Sequence, residues 1–433
     1  MKKIFAIVMM LAAVSVSGDA ANQKKLYVNP GHGGYTSNDG RTAMPAVNGV
    51  NIPETDEIKE GCFWESLGNT YRALGIKYFW EKRVNSNIKL SREKNVQAGD
   101  LALSAIAQES NSYGGYFISL HTNAGNASAN YAVTLCRSKS ESDYSAYNSN
   151  SLIMAKTAAN WLNNVKLTNV TNSTPRCMTD RSYYGGLGLG VLSTNPAPGY
   201  LVDSWFHGYR PEAFRLCNKE YNYFLAWQLL RAYLDSPGID VNIYPIIVGD
   251  IRDLSKSCGY TGYEARGRDK YLAINDAKVI LTNIATGGTK NYTTDQFNNG
   301  FYAFYDCIPG VTYEVTVKKE GYKTITKTIT VGNDGKGTQH LVNFDLEPEV
   351  VGTSGISVSP SLYDFEEIAV GTTSNETIIV TGTELTSDIS VSLSNTTDFS
   401  VDVTTLDKTG GTLTVTYNPS VAGSHLTTIT LTS

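Results

Sequence analysis

The chain has 433 residues, with 36 lysines and arginines against 41 aspartates and glutamates, which gives a net charge of -5. This length exceeds what one hydrophobic core serves, so two to four domains are expected. The acidic balance and the lack of a long basic run argue against a nucleic-acid-binding protein. Six dispersed cysteines form neither a disulfide scaffold nor a cysteine-rich zinc site, although Cys258 and Cys307 can be read either as a pair or as free thiols.

Residues 1–21 have the pattern of an export signal. Two lysines precede the apolar run Ile4–Val16, and small residues follow as a cleavage region. The run is too short for a membrane span, and no other stretch is suited to cross a bilayer. The sequence therefore predicts an exported protein, in the periplasm, cell envelope or medium, without a transmembrane segment in its mature chain.

Two predicted strands each end in a histidine. Leu26–Val28 forms a short apolar strand that stops at a proline, and His32 follows in a glycine-rich loop. A second apolar strand, Tyr116–Leu120, runs into His121. The carboxyl ends of strands in α/β sheets are where ligands and catalytic groups collect. With only five histidines in the chain, this repetition indicates a metal site.

Helical patterns separate these strands. Apolar residues recur at spacings of three and four over residues 63–78, which predicts a helix with Glu65 in its first turn. That carboxylate either interacts with the helix amino end or faces the same crevice as His32. Further helices are predicted at Arg92–Gln108, Ser151–Val165 and from Phe214 to the Ser236-Pro237-Gly238 stop, and a further strand ends at Asp203. Residues 22–236 are thus predicted to form an α/β domain with a mainly parallel sheet flanked by helices.

Beyond residue 238 the pattern changes to short strands separated by turn residues. Residues 240–347 predict one β-sandwich, and residues 355–433 predict a second all-β module after a Glu-Pro-Glu linker. No catalytic constellation is visible in either module. Both are therefore expected to be spacers or modules that bind cell-envelope components, and to be dispensable for chemistry.

The candidate chemistry is that of a zinc hydrolase. His32, Glu65 and His121 supply two imidazoles and a carboxylate, which leaves one position of a four-coordinate Zn2+ open for water. A carboxylate outside the ligand set must then move the proton from water to the leaving amine. Asp203, at the end of the last strand, is the positional candidate.

These residues lie in a series of motifs that resembles a known family. LYVNPGHGGYTSNDG, FWESLGN, LSREKN, FISLHTNA and PGYLVDSWFHGYRPEAFRL follow in order the motifs of the zinc-dependent N-acetylmuramoyl-L-alanine amidases of the cell-separation type, over about residues 25–235. The resemblance implies zinc ligation by His32, Glu65 and His121. It also implies hydrolysis of the amide between N-acetylmuramic acid and L-alanine in peptidoglycan.

The chain departs from that family at the catalytic position. Where the family usually has a Val-Glu pair, this chain has Val202-Asp203, and aspartate is shorter by one methylene. Three outcomes stay open: the backbone compensates and Asp203 acts as the base, Glu212 contributes, or activity is reduced. A zinc peptidase of different specificity and a catalytically weakened wall-binding or adhesive protein are the competing functions.

Several other residues have both a functional and a structural interpretation. His207 and Asn123 either contact the substrate or transition state or are packed residues. Arg92 is expected to be a structural ion-pair partner, and His340 and His425 ordinary residues of the β modules. The aromatic residues that could stack on sugar rings are Trp64, Trp205 and Tyr209.

The β modules resemble known modules as well. Residues 240–347 are similar to the carboxypeptidase regulatory-like β-sandwich, with an insertion around residues 253–271, and residues 355–433 are similar to short immunoglobulin-like modules of exported bacterial proteins.

Overall fold

The computed structural model describes residues 25–34, 40–43, 62–84, 87–125, 128–171, 174–195, 198–235, 243–258, 265–332, 337–349 and 354–433. The predicted export signal and the Ser236-Pro237-Gly238 segment lie outside these residues. Within the described part of the chain, no helix is long and apolar enough to cross a membrane. Contacts group the chain into two compact units, residues 1–348 and residues 349–433.

A six-stranded sheet organises the first half of unit 1. The strands of this region are β1 (Leu26–Pro30), β2 (Gly40–Ala43), β3 (Cys62–Trp64), β4 (Ile88–Leu90), β5 (Tyr116–Asn123), β6 (Val133–Cys136), β7 (Arg176–Thr179) and β8 (Gly199–Phe206). The sheet order is β4-β1-β5-β8-β6-β7, and every neighbouring pair is parallel except β8 and β6. β2 and β3 form a separate antiparallel pair. Because β1, β5 and β8 are parallel neighbours, their carboxyl ends lie side by side.

Helices cover both faces of this sheet. They are α1 (Glu65–Arg83), α2 (Leu103–Tyr113), α3 (Ser149–Asn163), α4 (Asp180–Tyr183), α5 (Gly190–Ser193), α6 (Arg210–Cys217) and α7 (Lys219–Leu234). Successive strand residues point to opposite faces. Accordingly Val28 and Val202 pack in the core that α1, α3 and α7 cover, whereas Tyr27 and Leu201 pack in the core that α2 and α5 cover.

Two predicted helices differ from the structure. The helix predicted over Arg92–Gln108 is wrong in its first half, because residues around Arg92 form a loop, a short 3-10 turn follows at Gln97–Gly99, and α2 begins only at Leu103. The predicted closing helix is two helices. They separate at Asn218, whose side chain accepts a hydrogen bond from the Tyr221 amide and so caps α7.

The second half of unit 1 consists of two packed sheets. Its strands are β9 (Ile246–Ser257), β10 (Tyr271–Ala273), β11 (Lys278–Asn283), β12 (Thr289–Thr293), β13 (Phe301–Phe304), β14 (Thr312–Lys318), β15 (Ile325–Thr330), β16 (Gln339–Leu341) and β17 (Phe344–Asp345). One sheet has the order β10-β9-β13, with β16 and β17 also pairing with β9, and the other has the order β12-β11-β14-β15. Side chains of both sheets share one core.

This β-sandwich also packs directly on the α/β part. Ile246, Val248 and Phe301 belong to the same buried cluster as Phe224 and Trp227 of α7. The boundary predicted between residues 236 and 240 stays a prediction, since the apolar core of unit 1 continues across it.

Unit 2 is a smaller pair of sheets. Its strands are β18 (Gly355–Ser359), β19 (Ser374–Thr383), β20 (Ile389–Leu393), β21 (Phe399–Val401), β22 (Thr405–Leu406), β23 (Gly410–Tyr417) and β24 (Ile429–Thr432). The sheet orders are β18-β19-β23-β21 and β22-β20-β24, and apolar side chains from both sheets form the core.

Candidate metal centre

The loop after β1 is held in a strained conformation around His32. His32 has φ 60 and Gly34 has φ 76, both in the left-handed region that side chains rarely adopt. Two side chains of α1 fix the loop by donating to its carbonyls: Asn69 Nδ2 to Gly31 at 3.1 Å and Ser66 Oγ to Gly34 at 2.8 Å. A non-glycine residue held in this region at a functional site is a common sign of preorganisation.

Arg92 holds the same loop from its other side. Its guanidinium donates to the carbonyls of His32 at 2.9 Å, Gly31 at 3.0 Å and Ser66 at 3.0 Å. The expected structural role is consistent with these contacts, but its described partners are backbone carbonyls and polar side chains rather than a carboxylate. Arg92 lies in a loop and not in the predicted helix.

Glu65 is the first residue of α1 and is buried, with 3% of its surface exposed. Its Oε1 atom accepts a hydrogen bond from the Thr122 amide at 2.9 Å. The same oxygen lies 3.3 Å from His121 Nδ1 and 3.5 Å from His32 Nε2. Burial alone would raise the pKa of Glu65, but the hydrogen bonds and charges of the two histidines lower it well below its usual range. Glu65 is therefore a carboxylate at neutral pH.

His121, near the end of β5, completes the cluster. Its ring fills the space above Gly31, where a Cβ atom would lie 2.0 Å from the ring carbon Cε1, so no larger residue fits there. Its carbonyl accepts a hydrogen bond from buried Arg72 at 2.9 Å. Burial lowers the pKa of His121, with Glu65 acting in the opposite direction. The ring is therefore neutral at pH 7, which is the form that binds metals.

The donor set suits a zinc ion. One ligand atom from each of His32, Glu65 and His121 lies within 4.8 Å of the others. Two imidazole nitrogens and a carboxylate oxygen form the ligand set of catalytic zinc sites that keep an open position. The chemistry of these three donors fits Zn2+. The identity of the metal stays a prediction.

Asp203 lies within β8, beside the strand that carries His121; the predicted strand end at Asp203 is wrong, because β8 continues to Phe206. The β5–β8 register pairs His121 with Asp203, and the carboxylate is 4% exposed. Its Oδ2 atom is buried and has no hydrogen-bond partner among the described residues. Burial and the charge of Glu65 raise the pKa of Asp203 to about 7, against the opposing effects of Arg72 and the Tyr184 hydroxyl. Such a carboxyl group can both accept and donate a proton near neutral pH.

Two residues beside Asp203 were missed in the sequence. Arg72 is fully buried on α1 and donates to Asn222 Oδ1 at 3.1 Å and Asn69 Oδ1 at 3.1 Å. A signal for it existed, because Glu65, Asn69 and Arg72 stand at i, i+4 and i+7 on one helix face. Tyr184, directly after α4, had no comparable signal, since it reaches the site only through the tertiary fold.

His207 and Asn123 lie close to the cluster and have partners in the protein. His207 is buried, and its Nδ1 lies 2.9 Å from Thr122 Oγ1, next to the amide that binds Glu65. Asn123 Nδ2 donates to the Tyr183 hydroxyl at 2.9 Å. Both are placed to support the site, and direct substrate contact stays a prediction for each.

Glu212 is not placed to replace Asp203. It is fully buried in α6, where it bonds Arg215 at 2.8 Å and the Tyr221 hydroxyl at 2.8 Å. Trp205 and Tyr209 are also fully buried, which leaves no ring face for sugar stacking, whereas Trp64 is partly exposed. His340 and His425 lie in the β regions, as expected, and within the described residues no disulfide joins Cys258 to Cys307.

Comparison with known proteins gives one family match and several similar folds. Residues 305–349 match the PEGA domain family, in a region predicted to be carboxypeptidase regulatory-like, and that finer assignment stays a prediction. No curated protein matches the chain. Solved structures similar to it include Cwp6 from Clostridium difficile, at 22% identity and TM-score 0.39, covering 50% of this chain and 30% of Cwp6.

Two similar structures are amidases by name. An N-acetylmuramoyl-L-alanine amidase from Clostridium difficile 630 has 22% identity and TM-score 0.37, covering 50% of this chain and 100% of its own. The catalytic domain of CwlV, an N-acetylmuramoyl-L-alanine amidase from Bacillus (Paenibacillus) polymyxa var. colistinus, has 16% identity and TM-score 0.36, covering 50% of this chain and 99% of its own. With TM-scores below 0.5, the assignment of function depends on the residues described above.

Proposed function

We propose that this protein is an exported, zinc-dependent N-acetylmuramoyl-L-alanine amidase that hydrolyses the amide between N-acetylmuramic acid and L-alanine in peptidoglycan. The single observation that supports it most is the convergence of His32, Glu65 and His121 within 4.8 Å, next to Asp203, which pairs with His121 in the β5–β8 register. Amide hydrolysis requires three metal-binding side chains and an adjacent carboxylate that can take up and give back a proton.

Each of these residues has a separate task. A zinc ion in such a site polarises the scissile carbonyl and lowers the pKa of water to ~7. Glu65 is fixed by the Thr122 amide, and the His121 backbone is fixed by Arg72, so the ligands keep their positions when substrate enters. The loop bonds of Arg92 hold His32 in the same way.

Asp203 would move the proton. Its carboxylate is buried, with one oxygen unbonded, so proton transfer to or from it does not require breaking a hydrogen bond within the protein. A pKa raised to about 7 allows the same group to accept a proton from water and then donate it to the leaving amine. Although aspartate is shorter than glutamate by one methylene, Asp203 pairs directly with His121 in the β5–β8 register.

Two other functions are compatible with the same metal cluster and Asp203. A zinc peptidase of different specificity would place a peptide amide at the cluster instead of the muramoyl amide. A wall-binding or adhesive protein would keep the metal ligands but lack turnover, because aspartate replaces the usual glutamate. The buried Oδ2 atom of Asp203, which has no hydrogen-bond partner among the described residues, favours turnover over the binding role, since an unsatisfied oxygen in the interior costs stability.

One digest separates these functions. Purified peptidoglycan is incubated with the zinc-loaded full-length protein, and products are identified by mass spectrometry and end-group labelling. New amino termini of L-alanine together with intact muramic acid indicate an amidase, and other new amino termini indicate a peptidase. The Asp203→Asn variant serves as the paired control. Absence of any product from a protein that binds zinc and sediments with peptidoglycan would overturn the proposal in favour of a wall-binding role.

A further inference from the structure

A surface of uncharged residues lies beside the metal cluster. Residues 182–202 contain no aspartate, glutamate, lysine, arginine or histidine. Within this stretch, Tyr184 is 40% exposed and Leu187 is 66% exposed, although both are large apolar side chains. Single exposed apolar side chains are ordinary, whereas several that lie together mark a surface that binds a ligand or partner.

This surface is continuous with the candidate active site. Asn123, two residues after His121 on β5, donates a hydrogen bond to the Tyr183 hydroxyl at 2.9 Å. The ring of Tyr184 packs edge to face against that of Tyr183, with ring centroids 4.9 Å apart. The Tyr184 hydroxyl interacts with the Asp203 carboxylate. Tyr184 therefore has its hydroxyl at the candidate base, while part of its side chain stays open to solvent.

Tyr144 extends the surface away from the cluster. Its hydroxyl lies 2.9 Å from the point where a Cβ atom of Gly186 would be, so its side chain packs beside the residue two positions after Tyr184. Tyr144 is 40% exposed as well. A Cβ atom at Gly185 would meet no atom of the described residues within 4 Å, so a flat ligand can approach the backbone there. We call Tyr144, Tyr184 and Leu187 the tyrosine surface.

The segment that carries the tyrosine surface is held in place, although residues 185–190 include four glycines. The buried carboxylate of Asp180 accepts hydrogen bonds from the amides of Arg181 at 2.8 Å and Leu189 at 3.0 Å, one on each side of these glycines. The Arg181 guanidinium also donates to the Gly186 carbonyl at 2.5 Å. A surface that is already ordered loses little conformational entropy when it binds a ligand.

The chemistry of the tyrosine surface fits a sugar strand better than a peptide. A tyrosine offers an apolar ring and one hydroxyl, which matches a sugar ring with its C–H faces and hydroxyl groups. A stem peptide carries ionisable groups, and residues 182–202 offer no charged side chain to pair with them. In N-acetylmuramic acid, the short lactyl group joins the sugar to the scissile carbonyl, so the sugar must lie directly beside the cluster.

We propose that the tyrosine surface binds the glycan strand of peptidoglycan, with Tyr184 against the N-acetylmuramic acid that carries the scissile amide and Tyr144 against a neighbouring sugar. The inference rests on the proposed amidase function and specifies its substrate as a strand of several sugars rather than a single muramoyl peptide. Aromatic side chains at the centre of an interface each contribute about fivefold or more in affinity, so kcat/KM should be at least about fivefold higher for a tetrasaccharide substrate than for a monosaccharide.

The turnover experiment uses the zinc-loaded full-length protein and two substrates, a tetrasaccharide and a monosaccharide that carry the same muramoyl-L-alanine amide. Tyr144→Ala should lower kcat/KM for the tetrasaccharide by about fivefold or more and leave that for the monosaccharide unchanged, because a single sugar does not reach Tyr144. Tyr144→Phe keeps the ring and should behave like the wild type. Tyr78→Ala is the matched control, because Tyr78 is 44% exposed and lies toward the opposite end of α1 from Glu65.

A binding measurement tests the tyrosine surface without turnover. Isothermal titration calorimetry compares a peptide-free glycan tetramer with the free stem peptide on the wild type, Tyr144→Ala and Tyr78→Ala. Tetramer binding that only Tyr144→Ala weakens, in a protein that hydrolyses neither substrate, would support the surface and overturn the proposed amidase function. Absence of tetramer binding, or equal binding by the wild type and Tyr144→Ala, would overturn the surface even if both substrates are hydrolysed. Loss of stem-peptide binding in Tyr144→Ala would also overturn it, because the surface would then bind the peptide.

Discussion

Asp269→Asn should destabilise unit 1 by breaking a buried charge network between its two halves. Asp269 lies in the 3-10 turn Gly267–Lys270, within the stretch that the sequence presents as an insertion in the β-sandwich. Its Oδ1 atom pairs with Arg215 of α6 at 2.7 Å and with Arg252 of β9 at 3.2 Å. Its Oδ2 atom accepts hydrogen bonds from Tyr209 at 3.0 Å and Asn169 at 2.7 Å.

The magnitude follows from the pKa of Asp269. Burial alone would raise that pKa, but the charges of Arg215 and Arg252 lower it from 3.8 to about 2. At ~1.4 kcal/mol per pKa unit, this difference corresponds to roughly 2 kcal/mol of stability from the ionised carboxylate. Removing one partner of a buried ion pair costs about 3–5 kcal/mol when the remaining charge is left uncompensated. Arg215 keeps Glu212 and Arg252 keeps Asp250, so we expect a loss of about 2–3 kcal/mol at pH 7.

The loss of unfolding free energy caused by Asp269→Asn should become smaller as the pH falls. The folded-state pKa of Asp269 is lower than its ordinary value, so its stabilising contribution is present above pH ~4 and is lost as the pH falls toward ~2. The difference in unfolding free energy between the wild type and Asp269→Asn should therefore narrow over that interval. Between pH ~4 and ~2, the other carboxylates titrate alike in the wild type and in Asp269→Asn, so they do not contribute to this difference.

Urea unfolding followed by tryptophan fluorescence measures this effect in the full chain. All five tryptophans lie between residues 64 and 227, so the signal reports on unit 1 and not on unit 2. Asp345→Asn is the matched control, because Asp345 is half-exposed and pairs with Arg268 at the surface, where an ion pair contributes at most about 1 kcal/mol. A difference below about 1 kcal/mol for Asp269→Asn at pH 7, or one that does not change between pH 7 and pH 3, would refute the reasoning.

Three further predictions concern the site and its support. His121→Ala should abolish stoichiometric zinc binding, measured by metal analysis after dialysis, because two ligands do not hold the ion tightly; retention of one zinc per chain would show that His121 is not a ligand. Asp203→Asn should keep zinc while kcat on muropeptides falls ~100- to 10,000-fold, and Asp203→Glu should retain or increase activity; near-normal turnover of Asp203→Asn would exclude Asp203 as the base. A chain ending at Asp235 should aggregate, whereas one ending at Pro348 should stay soluble and bind zinc, as measured by gel filtration and metal analysis; a soluble, active chain ending at Asp235 would show that the β-sandwich is dispensable.

The positions of the candidate metal-binding residues were predictable because each one is tied to a local pattern. His32 and His121 follow apolar strands, and Glu65 begins a periodic helix. A parallel sheet brings such strand ends together whatever the details of packing. The structure brings one ligand atom of each of these three residues within 4.8 Å of the others, whereas their role as zinc ligands stays a prediction.

Other features of the fold depend on tertiary contacts, which local sequence patterns do not predict. Arg92 lies in a loop, and its guanidinium binds carbonyls of the His32 loop that are distant in sequence. Asn218 divides one predicted helix into two because its side chain caps the second. The change in sequence pattern at residue 238 marks a change from helices to strands. It does not mark a change of core, because Phe301 packs against α7 across that point.

The β-sandwich therefore supports the candidate site by contacting the segment that follows Asp203. Trp205, two residues later, has φ 68 and is fully buried, so its strained backbone needs support from its surroundings. Tyr209 ends this segment, and its hydroxyl is held by Asp269 from the β-sandwich, 3.0 Å away. Arg266 stacks on the same ring at 4.4 Å. The stretch that looks like an insertion in the sequence thus supports the segment directly after the candidate base, and for this reason we expect the β-sandwich to stabilise the candidate site rather than to act only as a spacer.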